Sequence, residues 1–129
     1  QILTFEGLHV KDLGQSCGFL ESLPSGGFDL VVIDVSFISL KQVIPFVIEF
    51  LKTPGELVAL VKPQFEVGSE NLGKDGVVKD PKVIQSLRAV FQSFIEKQEL
   101  EFFDYVPSVI AGKDGNQEFF LYAKKTKSN

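Results

Sequence analysis

Three charged residues of this sequence stand at the ends of apolar segments, where together they could move a proton. Asp34 and Lys62 each follow a largely apolar run, and Glu118 opens another. Nearby carboxylates stabilise the charged form of a lysine, whereas burial favours its neutral form. Such a set suits removal of a proton from an alcohol, because an alcohol has a high pKa and needs a positioned base.

Each of these residues also has a purely structural interpretation. Asp34 could cap the turn after its strand, Lys62 could be a solvated strand end, and Glu118 could be the polar first residue of an edge strand. The chemical interpretation therefore depends on their convergence. It requires that the strand before Lys62 lie between the strands that carry the two acids.

The apolar runs before Asp34 and Lys62 are typical of buried parallel strands. Segments 28–33 and 57–61 are rich in Val, Leu and Ile, as expected for strands covered on both faces. Pro63 stops the second strand because it lacks an N–H. Ligands bind at the carboxyl ends of strands in open α/β sheets, so the sequence predicts a site at this edge.

A first helix is predicted between these two strands. Apolar residues recur at helical spacing over 40–51, which indicates one buried helix face. Ser39 is a suitable N-cap, and Pro45 lies so deep in the pattern that the helix is expected to begin late or bend. The Thr-Pro-Gly segment 53–55 is expected to end the helix and turn the chain into the next strand.

A long connection precedes the second predicted helix. Segment 67–79 contains three glycines and few apolar residues, and connections of this length are often lids or binding loops. Asp80 and Pro81 then form a strong helix start, with an acidic N-cap and proline at the first helical position. Apolar residues at helical spacing over 83–95 continue this helix.

The element order predicts an α/β fold. Strands are expected at 2–5, 101–106 and 118–123, the last two pairing antiparallel across the turn-rich segment 111–116. Together with the alternating part, this order predicts a Rossmann-like doubly wound fold with a mostly parallel sheet and a terminal antiparallel strand pair. The pattern corresponds to the C-terminal half of such a fold, and no GxGxxG turn is present.

Composition limits the class of protein further. The chain has 129 residues, 44% of them hydrophobic, which fits one folded domain and excludes a disordered chain. A net charge of −4 counts against a nucleic-acid binder that acts alone. The longest apolar stretch, 43–51, is interrupted by Glu49 and is too short to span a bilayer.

The remaining reactive residue types give no site of their own. Cys17 is the single cysteine, so no internal disulfide can form and a reducing, cytoplasmic setting is expected. Neither Cys17 nor Ser36 lies in a nucleophile motif, and His9 has no second His or Cys motif nearby, so no metal site is predicted. The chain opens with Gln1 inside a predicted strand, and we expect it to be a fragment.

Four strings resemble a known family. Segments IDVSFISL (33–40), VKPQFE (61–66), GVVKD (76–80) and GNQEF (115–119) are similar to those of the TlyA/hemolysin A proteins, relatives of FtsJ-type ribose methyltransferases. The resemblance covers nearly the whole chain. DVSFISL and KPQFE are specific to the family rather than common to the fold.

The resemblance implies S-adenosylmethionine-dependent 2′-O-methylation of ribosomal RNA. Proteins of this family carry an N-terminal S4 RNA-binding domain before a Rossmann-like methyltransferase domain, of which residues 1–129 would be a part. FtsJ relatives use a Lys-Asp-Lys-Glu tetrad, and Asp34, Lys62 and Glu118 match its last three members. Lys62 would then draw the proton from the ribose 2′-hydroxyl, with both acids orienting it. The first lysine of the tetrad would lie upstream of Gln1.

The resemblance also implies contacts to cofactor and substrate. For S-adenosylmethionine these are His9, Asp34, Val35, Ser36 and Phe37, although at His9 the family usually has Asn. For RNA they are Gln64, Glu66, Lys74 and Lys79, with Glu66 alternatively capping its loop. The implied partner is ribosomal RNA in the ribosomal subunit, with no membrane.

Two further expectations follow from the missing half. The opening strand, 2–5, would lose its normal neighbours in the family, so it should be disordered, paired out of place, or borrowed by another molecule. The sheet edge left exposed would favour self-association. Competing functions are a non-catalytic binding or structural fragment and, following the hemolysin label, membrane lysis. Lysis is disfavoured because the sequence has neither a long apolar helix nor a basic amphipathic face.

Overall fold

The computed structural model describes residues 2–5, 26–109 and 115–127, which form one sheet with two α-helices. The strands are β1 (Ile2–Phe5), β2 (Phe28–Ile33), β3 (Leu51–Val61), β4 (Glu101–Pro107) and β5 (Phe119–Lys125). The helices are α1 (Leu40–Val47) and α2 (Pro81–Lys97), with 3₁₀ turns at Ile48–Phe50, Pro63–Phe65 and Ser69–Asn71.

The sheet has the strand order β1-β2-β3-β5-β4. β1, β2 and β3 are parallel, whereas β5 runs antiparallel to both β3 and β4. The predicted fold class is thereby confirmed, including the terminal antiparallel pair. β3 also lies between β2 and β5, which is the arrangement that convergence of the three charged residues requires.

One face of the sheet forms the core. Successive strand residues point to opposite faces, and the fully buried positions of β2, β3 and β5 fall in register on a single face. Both described helices pack on that face, each through one apolar stripe. The helix residues buried there are Leu40, Val43, Ile44 and Val47 of α1 and Leu87, Phe91 and Ile95 of α2.

The first helix is shorter than predicted. It starts after Ser39, whose side chain caps Lys41 N, but it ends at Val47, and a 3₁₀ turn leads directly into β3. Leu51 therefore belongs to the strand rather than to the helix, because burial against the sheet and pairing with Phe28 outweigh its helical spacing. Periodicity alone cannot separate these two uses of an apolar residue.

The predicted turn at 53–55 lies inside the bounds of β3. The strand advances from Leu51 to Glu56 while β2 advances only from Phe28 to Leu30, so the ladder is interrupted there. Gly55 allows the close fold, because a Cβ at that position would lie 2.4 Å from the carbonyl oxygen of Lys52. The turn prediction was right about the local bend and wrong about where the strand begins.

The second helix starts as predicted. Asp80 accepts a hydrogen bond from the backbone N–H of Lys82, and Pro81 occupies the first turn. The antiparallel pair is also confirmed, although β5 begins at Phe119, so Glu118 immediately precedes the strand.

β1 lies directly beside β2, with Ile2 opposite Leu30 and Phe5 opposite Ile33. Of the three expected outcomes, pairing within this chain is the one observed, so the expectation of disorder was wrong, and exchange with another molecule stays a prediction. The backbone N–H and C=O groups on the outer edge of β2 need hydrogen-bond partners, and parallel pairing with β1 provides them. His9 and Cys17 lie outside the described residues.

Candidate active site at the carboxyl edge of the sheet

Lys62 and Asp34 form an ion pair at the edge predicted from the sequence. Lys62 follows β3 and Asp34 follows β2, and the distance from Lys62 Nζ to Asp34 Oδ1 is 2.7 Å. The lysine also donates a hydrogen bond of 3.1 Å to Ser36 Oγ. The Lys62 side chain is only 14% exposed, whereas that of Asp34 is 42% exposed. Asp34 and Ser36 thus hold the largely buried ammonium of Lys62, while the carboxylate of Asp34 remains accessible to a ligand.

Glu118 lies within electrostatic range of this pair. Val61 pairs with Phe119, which places Lys62 and Glu118 at neighbouring positions just beyond the paired segments. Partial burial raises the pKa of the Glu118 carboxyl; Lys62 acts in the opposite direction, and the charge of Asp34 adds to the rise. The three predicted catalytic residues are therefore brought together by adjacent strands β2, β3 and β5.

The loop after β2 presents three side chains in three different ways. Val35 is buried, so any ligand would meet its backbone rather than its side chain. Ser36 directs its hydroxyl to Lys62. Phe37 is 90% exposed, and its backbone has a φ of +65°.

Phe37 combines two costly features. A non-glycine residue in the left-handed region is uncommon and costs about 1 kcal/mol or more, and an almost fully exposed ring gains little from burial. Its ring contacts that of Phe65, with 4.9 Å between centroids and 51° between planes. Phe65 comes from the loop after β3, so the two rings form an aromatic rim beside the Lys62–Asp34 pair.

Glu66 joins the two loops that make this rim. Its Oε2 accepts a hydrogen bond of 2.6 Å from Ser39 Oγ, and its Oε1 accepts one of 2.8 Å from Leu40 N. A carboxylate at this place neutralises the exposed N–H groups and the positive end of α1. Burial raises the pKa of Glu66, and these two hydrogen bonds oppose the rise. Of the two roles considered for Glu66, the contacts support the cap.

The remaining predicted substrate residues lie along the same edge. Gln64 has a buried side-chain oxygen to which no described residue donates. Lys74 and Lys79 are both exposed on the connection between β3 and α2, and Lys79 pairs with Asp75 at 3.3 Å. Within the described ranges, no group of three or more His, Cys, Asp or Glu side chains could hold a metal ion.

Asn116 was missed by the sequence-based analysis. It lies in a segment that resembles an ordinary turn, yet it is only 2% exposed and bonds to the backbone of the connection before α2. The available signal was its place in the GNQEF string, two residues before Glu118.

The architecture is that of a partial Rossmann-like methyltransferase fold. An O-methyltransferase from Bacillus cereus solved with S-adenosylhomocysteine shares the fold, with a TM-score of 0.51 at 17% identity, over 92% of this chain and 48% of that one. A Lactococcus lactis structure described as a hemolysin is closer, with a TM-score of 0.75 and 37% identity over 82% of this chain and 50% of that one.

The family follows from the sequence match. The profile of the FtsJ-like methyltransferases matches residues 2–125, so the chain belongs to that family. It is 44% identical over 95 residues to YqxC of Bacillus subtilis, provisionally named an rRNA methyltransferase, covering 73% of this chain and 34% of the relative. It is 41% identical over 101 residues to the 16S/23S rRNA (cytidine-2′-O)-methyltransferase TlyA of Mycobacterium tuberculosis, covering 77% and 37%.

The matches are partial in one direction. The chain spans about a third of the length of these curated relatives and about half of the Lactococcus structure. Across the described ranges no helix has the length and apolar character needed to cross a membrane.

Proposed function

We propose that this chain is the C-terminal half of an S-adenosylmethionine-dependent enzyme that methylates ribose 2′-hydroxyls of ribosomal RNA in the cytoplasm. The observation that carries the proposal is the 2.7 Å pair between Lys62 and Asp34 at the carboxyl edge of a sheet in the FtsJ-like family. The names of relatives such as TlyA support the RNA substrate and the position methylated.

The geometry of the pair supports the proposed catalytic roles. Lys62, in its neutral form, would accept the proton of the ribose 2′-hydroxyl and release it to solvent afterwards. Asp34 and Glu118 would orient the amine and compensate the positive charge that it gains. S-adenosylmethionine would supply the methyl group: the ribose O–C bond forms as the S–C bond breaks, leaving S-adenosylhomocysteine. Positioning and charge placement provide the catalysis, with no covalent enzyme intermediate.

The residues after β2 suit the cofactor side of the site. The open carboxylate of Asp34 can accept hydrogen bonds, Val35 offers its backbone, and the hydroxyl of Ser36 adds a polar group. The exposed ring of Phe37 can stack on a base, which would explain both its exposure and its left-handed backbone. His9 remains a proposed contact on the adenine side.

The substrate side would use the connection before α2. Lys74 and Lys79 are exposed cations that can contact phosphates, and the unmatched oxygen of Gln64 can accept a hydrogen bond. Glu66 would have to release the start of α1 in order to contact RNA directly, since both of its oxygens are engaged there.

A longer protein would complete the site. The chain matches about a third of each curated relative and carries a net charge of −4, so most of the RNA affinity would come from a basic domain elsewhere. An upstream S4 domain would supply this RNA affinity, and the first lysine of the tetrad would complete the catalytic site. Self-association through the sheet edge left by the missing strands, where β1 now lies, stays a prediction.

The test is a methyl-transfer assay coupled to cofactor titration. The chain alone and an upstream-extended protein are each titrated calorimetrically with S-adenosylmethionine, then incubated with labelled cofactor and ribosomal RNA. We expect binding and 2′-O-methylation by the extended protein only. Binding by both would show that this half holds more of the site, and failure of the extended protein to transfer methyl groups would leave a non-catalytic module.

A further inference from the structure

Asn116 has an unusual environment for an asparagine between two strands. Its side-chain Oδ1 accepts a hydrogen bond of 3.0 Å from Val78 N, and its Nδ2 donates one of 3.2 Å to Gly76 O. Asn116 is only 2% exposed, and its carboxamide hydrogen-bonds to backbone groups 38 and 40 residues away in sequence. Removing a partner from a buried polar group is costly, so this contact fixes the segment that it holds.

That segment is a turn with its own internal bonds. Leu72 and Val78 form an antiparallel bridge, and Gly73 N donates to Val77 O at 2.9 Å. Asp75 Oδ1 accepts from Val77 N at 3.1 Å. Gly76 has a φ of +76°, a conformation that favours glycine. We name residues 72–79 the lysine turn, because they carry Lys74 and Lys79.

The lysine turn also restrains one of its cations. A Cβ at Gly73 would lie 2.6 Å from Lys79 Cε and 2.9 Å from Asp75 Oδ1. A larger residue there would require the exposed ends of Lys79 and Asp75 to shift, and the Lys79 ammonium lies 3.3 Å from the Asp75 carboxylate. The ammonium of Lys79 is therefore held near the turn, while that of Lys74 stays exposed.

Asn116 connects this turn to the catalytic strand. It lies two residues before Glu118, whose carbonyl oxygen accepts a hydrogen bond of 2.8 Å from Ser108 N. Gln117 Nε2 donates to Ser108 O and Glu118 O at 2.9 and 2.7 Å. The backbone that presents Glu118 is thus held against Ser108, and Asn116 bonds the lysine turn to that same segment.

We propose that Asn116 is a positioning residue for the RNA substrate. Its carboxamide holds the lysine turn at a set place relative to Glu118, so that Lys74 and Lys79 meet backbone phosphates while the target ribose lies at the Lys62–Asp34 pair. The inference rests on the proposed function and deepens it, since it assigns how the RNA backbone is registered against the site.

The test compares Asn116→Asp with Gln92→Glu in the full-length protein. Asn116→Asp keeps the acceptor for Val78 N but replaces the donor to Gly76 O with a buried charge. Gln92→Glu adds the same charge on the exposed surface of α2. We expect the KM for RNA to rise about tenfold in Asn116→Asp with kcat within about twofold, and the salt dependence of RNA binding to weaken by roughly one phosphate contact or more. Gln92→Glu should match the wild type.

A second variant acts on the turn without touching the buried carboxamide. Gly76→Ala meets no atom within 4 Å, yet its φ of +76° is unfavourable for alanine, so the turn must shift. It should reproduce the rise in KM even if Asn116→Asp folds poorly. In a Lys74→Ala/Lys79→Ala background, neither change should raise KM further, because the cations that they position are gone.

The outcomes separate this inference from the proposed function. A wild-type protein that does not methylate ribosomal RNA overturns the proposed function and the inference with it. An active wild type with an unchanged KM in both variants overturns the inference alone. An equal further rise in the lysine-free background would show that Asn116 affects RNA binding independently of Lys74 and Lys79, and would also overturn the inference.

Discussion

Two lysines at the ends of the same sheet have different neighbouring groups, and the comparison separates a candidate catalytic lysine from a structural one. Lys62 follows β3 and Lys125 ends β5, and because these strands are antiparallel the two residues lie at opposite ends of the sheet. Lys62 binds a carboxylate at 2.7 Å and a hydroxyl at 3.1 Å. Lys125 is 8% exposed and donates to the carbonyl oxygens of Ile48 and Leu51 at 3.0 and 3.3 Å.

The difference lies in what each partner can do besides accept a hydrogen bond. The carbonyl oxygens that accept from Lys125 lie just beyond the end of α1, in the 3₁₀ turn and at the first residue of β3, where the helix dipole favours a cation. Among the described residues Lys125 forms no ion pair. The partners of Lys62 are a half-exposed carboxylate and a loop hydroxyl at an open edge, and these can exchange contacts with a ligand. Burial is similar for both lysines, so burial alone does not mark a site.

Replacing Lys62 should give the largest effect on activity. Lys62→Ala is expected to lower methyl transfer by roughly 10²–10⁴-fold, because a positioned base contributes about that much. Its free energy of unfolding should change by only about 1 kcal/mol, because the Asp34 carboxylate is 42% exposed and can be solvated when Lys62 is removed. Labelled-methyl incorporation and urea unfolding, both on the full-length protein, measure the two quantities.

Lys62→Arg is the matched control for charge. Arginine keeps the ion pair with Asp34 but stays protonated at any usable pH, so it should be as inactive as alanine. Near-normal methylation by either variant would remove Lys62 from the mechanism and leave the pair with Asp34 a structural contact.

Replacing Lys125 should give the opposite result. Lys125→Met preserves the length of the side chain but removes the charged donor that Lys125 provides to the carbonyl oxygens of Ile48 and Leu51, which should cost about 1–3 kcal/mol of unfolding free energy. The kcat of the folded enzyme should stay unchanged, since the catalytic edge is at the other end of the sheet. Loss of activity at unchanged stability would contradict the division between the two lysines.

The sequence predicted the positions of the three charged residues at this edge better than the supporting contacts. Asp34, Lys62 and Glu118 were placed correctly because a charged residue that ends an apolar strand has a position fixed by the sheet, whose strand order follows from the alternation of elements. The structural role of Lys125 was not predicted, since a polar residue at a strand end does not indicate that the carbonyl oxygens of Ile48 and Leu51 lie within reach. Its role depends on the 3₁₀ turn at Ile48–Phe50.

Side-chain contacts between distant loops were likewise beyond the sequence. Asn116 lies in a turn-rich segment, where asparagine is common for local reasons, and its partners are 38 and 40 residues away. Leu51 was assigned to a helix because its spacing fits both a helix and a buried strand. In each case, tertiary contacts decided between two locally acceptable structures.

The loops that carry the site offer a smaller test of stability. Ser39→Ala removes the hydroxyl that caps Lys41 N and donates to Glu66, and an N-cap replacement typically costs about 1 kcal/mol. Because α1 begins at the catalytic edge, the KM for S-adenosylmethionine should rise a few-fold as well. Ser39→Thr retains the hydroxyl and should restore both quantities; a stability loss with unchanged KM would place the cap outside the site.

The last prediction concerns Glu118, the second carboxylate near Lys62. Partial burial, with the charge of Asp34, raises the pKa of Glu118 above the usual value for glutamate, although Lys62 opposes the shift. If ionised Glu118 supports the charge that Lys62 gains, activity should fall as the pH drops through this raised pKa. Because protonation of the base Lys62 already lowers the rate on the acid side, loss of ionised Glu118 should make kcat/KM fall more steeply, and this steeper fall should begin at a higher pH than an ordinary glutamate gives. Glu118→Gln should lower the rate several-fold near neutral pH and remove the steeper part of the profile. An unchanged profile shape in Glu118→Gln would assign the steeper fall to another group, and Glu118 would then be a neighbour of the pair rather than part of it.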